Sequence, residues 1–224
     1  MNKISLVQAK AIIQYDKSAL LSNKDYPSLE LVRLEKLFLN KPTGKLLEYG
    51  FGSGCNTLHL LKKNYDITAL DISENAIKKL KKKIKKNNKI KFVLLKIRSK
   101  KLPFKSNTFD FIVAMSVLSL LGNKNSIIHL FREFDIILKK NGKLILDINT
   151  TDSDVSNKKI RKSNKSLTFV IDDYIKTYCV RSKQEFVDLL KPHFKIVDIG
   201  YSKHQLFKKK ITELIACCEK KNTD

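Results

Sequence analysis

The chain has 224 residues, with 45 lysines and arginines against 22 aspartates and glutamates, a formal charge of +23. That length suits one domain with a substantial core. No stretch nears the roughly twenty apolar residues of a membrane span, and residues 1–20 lack the apolar run of a signal peptide, so no membrane partner and a cytoplasmic location are expected. The four cysteines, Cys55, Cys179, Cys217 and Cys218, form neither a C-x-x-C pair nor a metal spacing, which predicts reduced thiols and no metal. The charge would attract nucleic acid, anionic surfaces or acidic substrates, but lysine and asparagine fill nearly every solvated position while arginine, the better bidentate phosphate ligand, is scarce. Charge alone does not choose among these partners.

Residues 4–21 place Ile4, Val7, Ala11 and Leu20 at loosely helical spacing, interrupted by Tyr15 and Asp16. Asp25-Tyr26-Pro27-Ser28 predicts a helix start with Pro27 in the first turn and Leu31, Leu34 and Phe38 facing inward. Asn40 to Gly44 ends that helix. Leu46 to Thr57 then reads Leu-Leu-Glu-Tyr-Gly-Phe-Gly-Ser-Gly-Cys-Asn-Thr, a short strand, a tight turn and a helix start. Gly50, Gly52 and Gly54 can take φ > 0 and bring bare backbone against a ligand. Glu48 precedes them, and Asp71 closes the next apolar run, Ile67 to Leu70, where a carboxylate suits ribose hydroxyls. A dinucleotide site would want its third glycine where Cys55 stands. The triplet therefore points to a nucleoside ligand, with the dinucleotide reading as its nearest rival.

Asn56 to Lys63 predicts a short helix with its amino terminus toward the ligand, and His59 on it is read as packed or surface. Ser73 caps a helix on which Ile77, Leu80 and Ile84 recur, its lysines being a solvated face. Lys81 to Lys86 lie at its far end, away from the carboxyl ends of the strands where open α/β sheets bind ligands. Residues 90–95 form a third strand, Leu102-Pro103-Phe104 follows, and Phe109 to Met115 form a fourth. Asn125 or Ser126 is the expected cap of a helix carrying Ile127, Leu130, Phe131, Phe134, Ile137 and Leu138, with His129 structural beside that face. Asn141-Gly142 should stop it, and Lys143 to Ile148 form the fifth strand. Asp152 to Leu167 reads as an exposed insertion. Ser182 caps a helix bearing Phe186, Leu189 and Leu190. Phe194 to Tyr201 and Ile211 to Cys218 form a closing hairpin, with Cys217 and Cys218 on opposite faces and His193 and His204 at the surface.

The acid before Gly-x-Gly-x-Gly, Asp71 at the end of the second strand, Leu102-Pro103-Phe104 and Phe109-Asp110 together resemble the class I S-adenosylmethionine-dependent methyltransferases. The resemblance implies an α/β fold, a Rossmann-like doubly wound seven-stranded sheet, mostly parallel with an antiparallel last strand. It implies an amino-terminal helical lid over residues 1–40 and a methyltransferase domain over 41–224, with an acceptor-side insertion at about 150–180. Tyr15 and Tyr26 of the lid are read as packing residues. S-adenosyl-L-methionine would be held by Glu48, Gly50, Gly52, Gly54, Asp71 and Ile72, with Ser99, through its backbone N–H, and Met115 joining them. The sequence departs from the family at Arg98, where an acid usually meets the adenine amine, at Ser119, where many members carry a histidine, and at Asn141, in place of a glycine. No catalytic residue is assigned. From Lys78 to Lys105 there are 14 basic residues and no acidic one; Arg98, Lys100 and Lys101, after the third strand, favour a small anionic acceptor. An RNA methyltransferase using the basic surface, or a nucleoside- or dinucleotide-binding protein without catalysis, are the alternatives.

Overall fold

A computed structural model of the chain describes residues 13, 16, 25–39, 43–84, 87–96, 99, 101–154, 168–171, 175–206 and 209–221. Its strands are β1 (Lys45–Tyr49), β2 (Asp66–Asp71), β3 (Ile90–Leu94), β4 (Phe109–Ala114), β5 (Leu138–Asn149), β6 (Thr168–Ile171), β7 (Ile175–Tyr178), β8 (Phe194–Leu206) and β9 (Lys209–Lys220). Seven of them form one sheet in the order β3-β2-β1-β4-β5-β9-β8, while β6 and β7 pair separately. β1, β2 and β3 run parallel, as do β4 and β5, and β9 lies antiparallel to both β5 and β8. This is the Rossmann-like, mostly parallel sheet expected, with its last strand reversed. The chain forms two compact units, residues 1–103 and 104–224.

In the first unit, Ser28 caps α1 (Leu29–Leu34) by accepting from the Leu31 N–H at 3.2 Å. Pro27 stands before that cap, not in the first turn, because the Ser28 hydroxyl takes the orphan donor and so fixes the boundary. A π-turn, Glu35–Leu39, follows and buries Leu39. Leu46 and Leu47 of β1 are both fully buried, as a parallel strand covered on two faces requires. α2 (Cys55–Lys62) starts one residue earlier than expected and stops at Asn64, whose φ of 74° is a left-handed helix terminator. His59 on α2 is packed, its Nε2 3.7 Å from the Glu35 carboxylate, which also accepts from the Tyr65 hydroxyl at 3.1 Å. Ser73 caps α3 (Glu74–Lys83) as expected. Ala76 and Leu80 are its buried face, and Lys81, Lys82 and Lys83 are exposed. The Lys81 ammonium lies 5.4 Å from the Phe92 ring centre. Most of the lid expected over residues 1–40, including Tyr15, lies outside the described residues, as do Lys85, Lys86, Arg98 and Lys100. Tyr26 is described, and it is exposed where packing was expected.

In the second unit, Asn123 rather than Asn125 or Ser126 caps α4 (Lys124–Ile137), accepting from the Ser126 N–H at 2.9 Å. Ile127, Leu130, Phe131, Phe134 and Ile137 are its buried stripe. The helix ends before Leu138, which already pairs with Phe109 as the first residue of β5. The register then jumps, Phe111 facing Lys143. Between them Asn141 takes a φ of 59°, and a Cβ on Gly142 would meet the Lys139 carbonyl oxygen at 2.7 Å. Asn141-Gly142 is thus an irregularity inside the strand, not a helix stop. Ser182 caps α5 (Lys183–Leu190), burying Phe186, Leu189 and Leu190 as read from the sequence. His193 is half-buried against Phe131, with ring centres 6.2 Å apart, so its surface assignment is corrected by packing. Cys179, Cys217 and Cys218 are buried and burial raises each thiol pKa, to about 12, 11 and 12, which leaves them inert.

Candidate functional site

The three glycines of the turn are required for three different reasons. Gly50 has a φ of 73° and donates its N–H to the Leu70 carbonyl at 2.8 Å, tying the end of β1 to β2. Gly52 has a φ of 54°, and a Cβ built on it would meet nothing within 4 Å, so its bare face opens onto free space. Gly54 has a φ of 78° and starts α2, and a Cβ there would strike the Leu80 side chain at 2.5 Å. All three are expected from the sequence to face a ligand, and at Gly54 the structure adds a packing need, since Leu80 of α3 fills the place of a side chain. At Gly52 the absent side chain leaves open space.

Asp71 fixes the other wall of this cradle. One carboxylate oxygen accepts the Gly52 N–H at 2.9 Å and the other the Ser73 N–H at 2.9 Å. The carboxylate has about four lone-pair sites, more than these backbone N–H groups fill, which leaves capacity for a hydroxyl donor. Burial raises the Asp71 pKa; the backbone N–H groups of Gly52, Ser73 and Ile72 oppose that, and the Asp16 carboxylate adds to it. Asp16 also accepts from the Ser73 hydroxyl, bringing one residue of the amino-terminal segment to the end of β2. Ile72, half-buried, follows directly.

Glu48 is 2% exposed, and its Oε2 accepts from the Thr57 hydroxyl at 2.5 Å, bracing the first turn of α2 against β1. Burial drives its pKa from 4.5 up to about 8; the Thr57 hydroxyl partly counters this and the Asp71 charge reinforces it. Thr57 was not singled out by sequence, although a hydroxyl three residues past the last glycine, on the inner face of the predicted helix, was the available signal. Ser99 is exposed, and the N–H expected to face an adenine ring donates to the Lys96 carbonyl at 2.8 Å. That donor is taken up inside a local turn.

In the second unit, Met115 is buried at the end of β4. Ser116 beside it holds a φ of 57°, a conformation uncommon outside Gly, Asn and Asp. Its N–H donates to the buried Asp147 carboxylate on β5 at 2.6 Å, which holds the strained turn in place. Ser119 is buried and accepts the Asn149 N–H at 3.0 Å, so it ties the end of β5 rather than presenting a proton acceptor. Among the described residues no cluster of three or more His, Cys, Asp or Glu could hold a metal, and no helix is long and apolar enough to cross a membrane.

Residues 47–146 match the methyltransferase domain family. An uncharacterized protein of Methanocaldococcus jannaschii is 35% identical over 124 residues, 55% of this chain and 49% of that protein; the chain spans about half the length of this relative. A SAM-dependent methyltransferase of Methanosarcina mazei shares the fold with a TM-score of 0.67 at 20% identity, over 82% of this chain and 96% of that one. The 1,6-didemethyltoxoflavin-N1-methyltransferase of Burkholderia thailandensis, solved with 1,6-didemethyltoxoflavin and S-adenosylhomocysteine, gives 0.66 at 15% identity over 97% and 85% of the two chains. At these identities the structural likeness is one of fold. Residues 47–146 therefore match a methyltransferase domain, and the sheet order is that of the S-adenosylmethionine-dependent methyltransferase fold.

Proposed function

We propose that the chain transfers a methyl group from S-adenosylmethionine to a small anionic acceptor. The observation that carries the cofactor half is the Gly52–Asp71 cradle, a positive-φ glycine with open space at its Cβ position beside a carboxylate fixed by two backbone N–H groups. The residues present fit the cofactor. Asp71 would accept the ribose hydroxyls, the backbone of Gly50 and Gly52 would lie along the ligand, and Ile72 would contact the base. Glu48 and Gly54 act one step removed, by holding α2. The first turn of α2 would turn its N–H groups and positive dipole end toward the carboxylate of the methionine moiety. The Ser99 side chain completes the set within this unit. Bound there, the cofactor supplies methyl and leaving group together, which leaves the protein to align the acceptor and, where needed, remove a proton.

Support for a small acceptor is twofold. The Burkholderia enzyme of the same fold carries a small heterocycle together with S-adenosylhomocysteine. The chain also has no Asn/Asp-Pro-Pro-Tyr or Pro-Cys after β4, the motifs of base-amine and cytosine methyltransferases. Titration calorimetry tests the reading. S-adenosylmethionine and S-adenosylhomocysteine are expected to bind, and Asp71→Ala to weaken them by about 1.5–3 kcal/mol, the range of a charge-assisted hydrogen bond. Binding of NAD in place of both would overturn it.

A further inference from the structure

Past the carboxyl end of β5 the second unit carries a half-open hollow of about 210 Å³ that the cofactor assignment leaves unused. Three of its lining side chains share one face of the β8–β9 hairpin. Ile199 and Tyr201 are two residues apart on β8, and Leu214 is the register partner of Tyr201 on β9. Ile199 and Leu214 are buried and make the inner side apolar, with Thr150 beside them. The Tyr201 side chain, by contrast, is 55% exposed, a large ring left uncovered where it lines a hollow. Such a ring is available to stack on a flat ligand.

The rest of the lining is polar and net positive: Arg181, Ser182 and Lys183 at the start of α5, against the single carboxylate of Asp152. Arg181 is held in place. Its backbone N–H and its Nε both donate to Glu185, at 2.9 and 3.4 Å, and Glu185 accepts from the Tyr178 hydroxyl at 2.8 Å on its other oxygen. The η nitrogens of the guanidinium remain as donors. Lys183 forms no ion pair with any described residue. The volume is below the range of about 300–1,000 Å³ typical of drug-sized ligand pockets. It suits one ring with one charged substituent and is too small for a nucleotide.

We propose that this hollow binds a small aryl anion, a single aromatic ring bearing a carboxylate or a phosphate. The anion meets Arg181 and Lys183, the ring lies against Tyr201 with Ile199 and Leu214 beneath, and Asp152 favours a ligand that carries a hydroxyl or amine as well.

Calorimetry on the full chain separates the parts. Phenyl phosphate and benzoate are the aryl anions, inorganic phosphate and phenol the controls lacking ring or charge, and S-adenosylhomocysteine is titrated into every variant. At least one aryl anion is expected to bind about tenfold more tightly than either control. Arg181→Gln/Lys183→Gln should lose about tenfold, as expected for charge-assisted contacts. Tyr201→Ala should reduce phenyl phosphate to the level of inorganic phosphate, and Asp152→Asn should tighten both aryl anions by removing a repelling charge. These side chains are exposed, and unchanged S-adenosylhomocysteine affinity reports that each variant is folded. Absence of aryl-anion binding, or equal binding by the Arg181/Lys183 variant, with S-adenosylhomocysteine still bound would overturn the assignment of the hollow and leave the cofactor reading standing. Loss of S-adenosylhomocysteine binding in the unaltered protein would instead overturn that reading.

Discussion

A glutamate held 2% exposed with a pKa near 8 makes Glu48 the residue whose protonation folding controls most directly. In the unfolded chain it ionises near 4.5; in the native state it keeps its proton to about 8. Between those values the native state binds the extra proton, so stability is full below pH 4.5 and falls as pH rises to about 8, at up to about 1.4 kcal/mol per pH unit. Asp71, also raised by burial, adds a slope of the same sign. Glu48→Gln keeps an acceptor for the Thr57 hydroxyl and removes the ionisation. Urea unfolding at pH 5, 6, 7 and 8 should therefore show a much flatter profile for the variant, with the Asp71 share remaining; parallel profiles would contradict the assignment. Asp71 itself was legible in the sequence, since an acid closing an apolar run after a glycine turn is a local pattern. The Glu48–Thr57 pair was not, because the two groups stand nine positions apart across strand, turn and helix, and only the folded turn brings them together.

At the scale of elements, the glycine turn and α3 are one packed unit. Gly54→Ala places a methyl group where Leu80 sits and keeps a left-handed φ, combining a steric clash with a conformational penalty of about 1–2 kcal/mol. Gly52→Ala carries the same conformational cost but meets no atom. Thermal unfolding should thus rank Gly54→Ala as clearly the less stable, while Gly52→Ala, still folded, loses S-adenosylhomocysteine affinity because its methyl group enters the cradle. The reverse thermal ranking would contradict the packing at Gly54, and undiminished affinity in Gly52→Ala would mean that the cradle is not where the ligand lies. Helix caps at Ser73 and Ser182 were legible because each hydroxyl accepts from the N–H three residues on, whereas the Ser28 cap was missed and Pro27 was set in the first turn instead. The cap of α4 was not, since Asn123, Asn125 and Ser126 all offer side-chain oxygens within four positions and tertiary packing selects the first. Leu138 was drawn into the helix for a similar reason. Apolar periodicity alone does not distinguish the last inward residue of a helix from the first of a strand that follows without a loop.

For the whole molecule the question is whether a charge of +23 is a binding device or a solvent coat. The structure places Lys81, Lys82 and Lys83 on the exposed side of α3, with Lys83 also near Asp25 and Lys81 against Phe92. If they form a solvated face, Lys81→Gln/Lys82→Gln leaves S-adenosylhomocysteine affinity unchanged and generic RNA binding weak at all salt concentrations. If they track a phosphate backbone, RNA binds with a steep salt dependence and the double variant lowers the slope of log affinity against log salt by about two. The latter result would promote the RNA methyltransferase reading over the small acceptor. The placement of β9 has a different consequence, in time rather than in space. β5 ends at Asn149, but the strand that covers its second edge starts only at Lys209. At roughly 5–20 residues per second of synthesis, the backbone of Leu144 to Asn149 waits roughly 3–12 s on the ribosome with one edge unpaired. For that interval the growing chain carries an open, apolar template for misassembly, and any pause in translation between those positions prolongs it.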